Sequence, residues 1–408
     1  MRRLTLSLVL GLVAAAGSVA AQSRIASAYP ATNGVVVFRS DRGGTADLFS
    51  VGSEGGNESG ITTTPKAHEY DAAVSPEGTR IAFARRSTSP GARTDLFVMN
   101  LRGGGRMRLT STPVPERQPD WSPDGTRIVY TARTSRHGPF RLFSINADGR
   151  DREPLTTQSG DSYDMDPAWS PDGSKIAFVT NRDGGFPEIY VMNADGSGRR
   201  RLTQNTQIDA DPSWSPDGSR IAFVRCCADG SHELYTMNAD GSGQTPLLAS
   251  VDEESDPAWS PDGTKIAYVS FPAGGGNVDV WTVGADGTAP VRLTTDQAVD
   301  LAPSWEAQPV CSISGTTGPD TLTGTEGPDV ICGLDGDDVI LAGGGDDLVL
   351  AGGGNDQVQG EAGNDLLFGA GGDDFLSGRE GYDGLFGGGG ADTCLRGAGG
   401  GFVRQCEA

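Results

Sequence analysis

A tryptophan followed by a Ser-Pro-Asp-Gly turn recurs through most of this 408-residue sequence, and the interval between copies limits the fold more than any other feature. The tryptophans are Trp121, Trp169, Trp214 and Trp259, with Trp305 in the same place ahead of Glu306-Ala307-Gln308 and Val74 in the same place in an earlier copy. Successive spacings are 47, 48, 45, 45 and 46 residues. In the clearest copy, 164–203, four short apolar runs are separated by turn signals. Ala168-Trp169 leads into the turn at 170–173, the run at 175–179 into a loop at 181–185, and the run at 188–192 into a turn at 193–196, before Arg201-Leu202-Thr203. Proline presets φ, and glycine accepts the positive φ that a tight reversal needs. Four antiparallel strands in about 45 residues make one propeller blade.

The second strand of the unit recurs six times, as Val36-Val37-Phe38, Ile81-Ala82-Phe83, Ile128-Val129-Tyr130, Ile176-Ala177-Phe178, Ile221-Ala222-Phe223 and Ile266-Ala267-Tyr268. The first has no tryptophan segment ahead of it, and Pro303-Ser304-Trp305 has no second strand after it. Two half-blades complete each other if the array closes into a ring, pairing the strand near Trp305 with the strand at 34–38 and removing the exposed edges. A six-bladed β-propeller over 34–307 is predicted. The pattern D-x-x-P-x-W-S-P-D-G-x-x-I-A-F, at 164–178 and 209–223, resembles the repeat of TolB-type propellers (WD40-like, PD40) over about two thirds of the chain. That resemblance implies a binding platform or the accessory domain of a hydrolase or lyase. The namesake of the family carries an α/β domain ahead of its propeller, where this sequence has 33 residues.

After a linker at 306–311 the period drops from about 45 to nine. Nine consecutive nonapeptides from Gly315 hold Gly in the fourth position and Asp in the sixth: Asp320, Asp329, Asp338, Asp347, Asp356, Asp365, Asp374, Asp383 and Asp392. The eighth position is apolar from Leu322 to Leu385, with Cys394 last. A disordered acidic tail would not hold this register. The columns match the nonapeptide G-G-x-G-x-D-x-U-x of RTX (hemolysin-type) calcium-binding repeats. That resemblance implies a parallel β-roll over 311–408 in which two nonapeptides form one coil and an ion lies between repeat n and repeat n+2. Seven sites is then the ceiling, with the nine aspartates as metal ligands and Ca²⁺ as the cofactor.

Calcium takes six to eight oxygens at about 2.3–2.6 Å, more than one short turn supplies. Stacked aspartates about 4.8 Å apart repel by roughly 1 to 3 kcal/mol per pair. One buried apolar side chain per repeat contributes about 1.5 to 3 kcal/mol, against about 1 to 2 kcal/mol of backbone entropy for every residue ordered. The roll is therefore expected to fold only with calcium. Thr and Pro in the first two repeats, and Tyr382 and Ala391 in the fifth column later, reduce the number of good sites. The pattern stops after Leu395, which marks a cap.

Charge and cysteine follow the same division. From residue 311 on there are 17 acidic residues and three arginines, so most of the formal net charge of -22 lies there. That asymmetry points toward cations and away from nucleic acid or anionic lipid. Four of the six cysteines bracket the roll. Local pairs, Cys311 with Cys332 and Cys394 with Cys406, would each pin an end turn that has only one neighbour, though other pairings stay open. Cys226 and Cys227 are neighbours in a blade loop, either a vicinal disulfide or two thiols. At the start, Met1-Arg2-Arg3, an apolar run at 4–16 and Val19-Ala20-Ala21 read as a signal peptide over 1–21, too short for a membrane span. An exported protein, extracellular or in the cell envelope, is expected.

Two further features concern function. An acid stands five residues ahead of each tryptophan or its equivalent: Glu69, Glu116, Asp164, Asp209, Glu254 and Asp300. If they face the axis, they would favour a metal ion or a basic peptide at the channel mouth. The alternative, which is the expectation, is that they bond backbone amides in the turn leading into the strand. The sequence carries no G-x-S-x-G elbow and no H-E-x-x-H, and its three histidines, His68, His137 and His232, are scattered. The reading is a non-catalytic, secreted calcium-binding protein whose propeller engages a protein or polysaccharide partner at its channel face. The alternative is a secreted hydrolase or lyase with an axial active site.

Overall fold

The computed structural model describes residues 31–408 apart from Arg102, Gln158, Ser159, residues 227–229, Ala249, Gln405, Glu407 and Ala408. The signal peptide expected over 1–21 and Cys227, hence any bond between Cys226 and Cys227, lie outside the described residues. The described chain is all-β: a six-bladed propeller followed by a parallel β-solenoid.

Each blade is a four-stranded antiparallel sheet. Blade four shows the pattern: Asp164–Trp169, Lys175–Thr180, Glu188–Asn193 and Arg200–Arg201. Its Ile176 and Phe178 pack against Val129 and Leu142 of blade three, while Ile189 and Val191 pack against Ile221 and Phe223 of blade five. Both faces of the sheet are core, which is why these strands are apolar throughout rather than alternating. The tryptophans join neighbours as well: Trp121 Nε1 donates to Ala73 O of the preceding blade at 3.0 Å.

Ring closure occurs as the half-blades require. Blade one consists of Ala31–Ser40, Asp47–Val51 and Ser59–Gly60, completed by Asp300–Pro309 as its innermost strand. That last strand runs antiparallel to the first, with Trp305 opposite Val36 and Ser304 opposite Val37.

In the roll, parallel strands pair residue i with residue i+18, so two nonapeptides form one coil. Odd and even repeats fall into two sheets, one of six strands and one of five. The eighth column, including Ile331, Ile340, Val349, Val358, Leu367, Leu376 and Leu385, fills the space between them with no exposed surface. Disulfides Cys311–Cys332 and Cys394–Cys406 close the two ends. Beyond Leu395, where the repeat stops, the chain still adds a strand, Gly401–Arg404, parallel to Asp383–Gly389.

The two outer faces of the roll differ. On the six-stranded sheet Val330, Cys332, Leu348, Leu366, Phe368 and Phe386 are buried. On the other sheet Thr321, Thr323, Gln357, Phe375, Thr393 and Leu395 are exposed. The buried face meets the propeller at Arg80, whose guanidinium sits 4.1 Å from the Phe386 ring centre, 5.7 Å from Phe368 and 4.5 Å from Trp121. Arg80 is itself buried and is held by Glu77 at 2.7 Å and by Gly125 O at 3.1 Å.

Candidate metal centres

The aspartate column is a hydrogen-bonded ladder. The main-chain N–H of each Asp donates to Oδ1 of the Asp one coil later, from Asp320 to Asp338 (2.8 Å) through Asp374 to Asp392 (2.9 Å). Asp338, Asp347, Asp356, Asp365, Asp374, Asp383 and Asp392 each accept one such bond. In these same seven, among the described residues, Oδ2 is buried and has no hydrogen-bond partner. A buried oxygen with no donor is costly unless something positive fills the place.

Asp320 and Asp329 differ. Oδ2 of Asp320 accepts from Thr316 N (2.6 Å) and Thr316 Oγ1 (2.9 Å), and Oδ2 of Asp329 accepts from the same two groups of Thr325. Asp329 Oδ1 also takes Ser312 Oγ at 3.1 Å. The threonines thus close the first two turns internally.

Proton affinities divide the same way. Burial pushes Asp347 and Asp374 up to about 7, Asp365 to about 8 and Asp383 to about 6. Nearby aspartates reinforce the rise and the ladder amides resist it. At Asp329 burial acts in the same direction, but the Thr325 and Ser312 bonds outweigh it and hold the group below the ordinary carboxylate range.

Turn backbone prepares the rest of each site. From the third repeat on, the fourth-position glycines have positive φ, and a Cβ on Gly354 or Gly372 would lie 2.1 or 2.0 Å from the carbonyl oxygen one coil earlier. The second position is left-handed too, even where it carries a side chain: Leu334, Glu361, Ala370 and Arg379 have φ between 68° and 82°. Such a conformation costs roughly 1 to 2 kcal/mol for an L residue. Among the described residues no three His, Cys, Asp or Glu side chains converge on one point. An ion here would be shared between an Asp Oδ2 and main-chain carbonyls of stacked turns, and the all-oxygen donor set fits calcium.

The propeller acids lie elsewhere than expected. Glu69, Glu116, Asp164, Asp209, Glu254 and Asp300 are all at most 1% exposed and sit between blades rather than on the axis. For five of them the partners are side chains, not turn amides: Arg85 and Thr64 for Glu69, Arg152 and Thr112 for Glu116, Arg182 for Asp164, Arg225 and Asn205 for Asp209, and Arg42 for Asp300. Glu254 accepts from the Ser250 hydroxyl and from the main-chain N–H of Leu234, a strand residue of the preceding blade. The reason is positional, because the innermost strand is bulged between these acids and the tryptophans.

The axis is instead lined three residues ahead of each tryptophan or Val74, by Asp71, Gln118, Asp166, Asp211, Asp256 and Ala302. All six are left-handed at the bulge, with φ of 50° to 53°. Successive blades are linked there: Gln118 N donates to Asp71 Oδ2 at 3.2 Å and Ala302 N to Asp256 Oδ2 at 3.3 Å. Burial, with mutual repulsion, raises Asp166 to about 7 and Asp211 well above its usual value. The repeated Asp-Pro pairs at 166–167, 211–212 and 256–257 were the sequence signal for this position.

Comparison with known proteins agrees with both halves. The TolB beta propeller domain model matches residues 23–165 and 161–269, and the RTX calcium-binding nonapeptide repeat model matches 314–349, 350–385 and 376–403. The Tol-Pal system protein TolB of Anaeromyxobacter dehalogenans is 37% identical over 133 residues, which is 32% of this chain and 28% of that protein. A TolB homolog of Chlorobium luteolum is 30% identical over 168 residues, 41% of this chain and 35% of that one. The matches thus span about a third of those relatives. Among solved structures, TolB from Acinetobacter baumannii superposes with a TM-score of 0.57 at 21% identity, covering 67% of this chain and 66% of that one. At this identity the superposition speaks for the fold. The chain belongs to the TolB β-propeller family, and its propeller is followed by RTX calcium-binding repeats.

Proposed function

We propose that this is an exported calcium-binding protein whose roll completes its folding on Ca²⁺ and whose propeller serves as a non-catalytic platform for an envelope or extracellular partner. The observation that carries the reading is the set of seven buried Asp Oδ2 atoms in register, each without a hydrogen-bond partner among the described residues. Asp338, Asp347, Asp356, Asp365, Asp374, Asp383 and Asp392 are the ligands under this reading, and Asp320 and Asp329 belong to a threonine-closed cap. Calcium would replace the missing donors, relieve repulsion along the column and offset the strained turns. The α-helix-free described structure offers no helix long and apolar enough to cross a membrane. Limited proteolysis and circular dichroism of the full chain, in EGTA and in millimolar calcium, test the proposal. Protection of 311–408 and added strand signal in calcium are expected; an identical spectrum and digest in both buffers would falsify it.

A further inference from the structure

We propose that the junction of blades five and six binds one divalent cation of the calcium class through Glu254 and Glu233. This site is separate from the roll and does not depend on the roll binding metal.

Six equivalent blades provide their own control. In five of them the buried acid ahead of the tryptophan meets a guanidinium: Glu69 and Arg85 (3.3 Å), Glu116 and Arg152 (3.9 Å), Asp164 and Arg182 (2.8 Å), Asp209 and Arg225 (2.7 Å), Asp300 and Arg42 (3.3 Å). Glu254 is equally buried, at 1% exposed, yet among the described residues no cation lies within ion-pair reach of it. In the strand ladder Arg85 stands opposite Glu69 and Arg225 opposite Asp209, but Ser270 stands opposite Glu254. Two residues further on, where Arg42 and Arg182 come from in their blades, blade six has Pro272.

The neighbouring acid has lost its partners too. Glu188 of blade four is met by Arg201 at 2.7 Å and Thr203 Oγ1 at 2.6 Å, and Asp279 of blade six by Arg292 at 2.6 Å and Thr294 Oγ1 at 3.3 Å. Glu233 is the equivalent in blade five, and Pro246 and Leu248 occupy the positions of that arginine and threonine. The Glu254 carboxyl meets the Glu233 carboxyl, and it accepts from the Ser250 hydroxyl and the main-chain N–H of Leu234. Glu254 Oε2 remains buried with no hydrogen-bond partner among the described residues.

A buried carboxylate, Glu254, beside the half-buried Glu233 and the exposed Ser250 hydroxyl, without an internal cation, suits a small hard ion that enters from solvent better than a bulky guanidinium.

The test counts ions on the full-length protein. Equilibrium dialysis against radioactive calcium at pH 8 compares wild type with Glu254→Gln, which removes the ligand, and Ser270→Arg, which restores the arginine of blades two and five. One calcium fewer in both variants is expected, and in EGTA Ser270→Arg should melt above wild type. Equal ion counts in all three proteins would overturn the proposal and assign the pair a shared proton instead. If the roll bound no calcium, the difference of one ion would persist, so the two readings fail separately. Should Glu254→Gln not fold, the Ser270→Arg comparison decides alone.

Discussion

Asp365 and Asp320 occupy the same column of the repeat and differ in what reaches Oδ2. Thr316 donates twice to Oδ2 of Asp320, whereas Oδ2 of Asp365 has no partner among the described residues. Replacing Asp365 by Asn should therefore raise the calcium concentration at half-saturation on the order of tenfold, or about 1.4 kcal/mol. Asp320→Asn should leave that midpoint nearly unchanged, as read by calcium titration of the full chain. Protons compete for the same oxygens. Groups raised in the fold to about 6, 7 and 8 stabilise the metal-free roll fully below their unfolded value, and that stability is lost as pH rises through the folded values. Calcium must displace these protons, so its affinity should fall as pH drops from about 8 to about 6. Calorimetry in buffers of different ionisation enthalpy would show protons released on binding; no release would contradict the assignment.

At the scale of the element, the fifth column of the repeat is a second ladder. Side chains of Asp337, Asp346, Asn355, Asn364 and Asp373 accept the main-chain N–H of the residue one coil later, at 2.7 to 2.8 Å. Tyr382 and Ala391 donate their N–H to the two columns but carry no side-chain acceptor of this kind, and Pro319 and Pro328 begin the columns with no N–H to donate. The apparent flaws of the repeat are thus its two ends. The interior depends on packing, and Leu367→Ala, at a position with no exposed surface, should cost about 2 to 5 kcal/mol in the calcium-bound melt.

Periodicity made the blades, the ring closure and the roll legible, because short apolar strands and turn glycines leave a mark in every copy. What it could not show was direction. The left-handed bulge at Asp166 turns the next residues so that Asp164 faces Arg182 and the axis goes to Asp166, and a bulge is a property of φ rather than of residue order. The missing arginine opposite Glu254 was written in the sequence as Ser270, but its meaning needed the strand register.

In the whole molecule the propeller and the roll meet at Arg80, whose guanidinium lies close to both Trp121 and Phe386. A cation over a desolvated ring contributes roughly 0.5 to 2 kcal/mol. Calcium added to the full chain should therefore raise the melting temperature of the propeller as well as the roll, and Phe386→Ala should leave only the roll responsive in differential scanning calorimetry. A propeller transition equally calcium-dependent in both proteins would show that the contact transmits nothing.

Because each coil advances by eighteen residues while the motif advances by nine, the roll has a parity. Deleting one coil's worth of chain from the middle would shorten it and return every later side chain to its own side. Deleting a single motif would turn all later strands over, presenting Phe386 to water and the threonine and glutamine side of the structure to Arg80. Length can drift in this protein, but only by even counts.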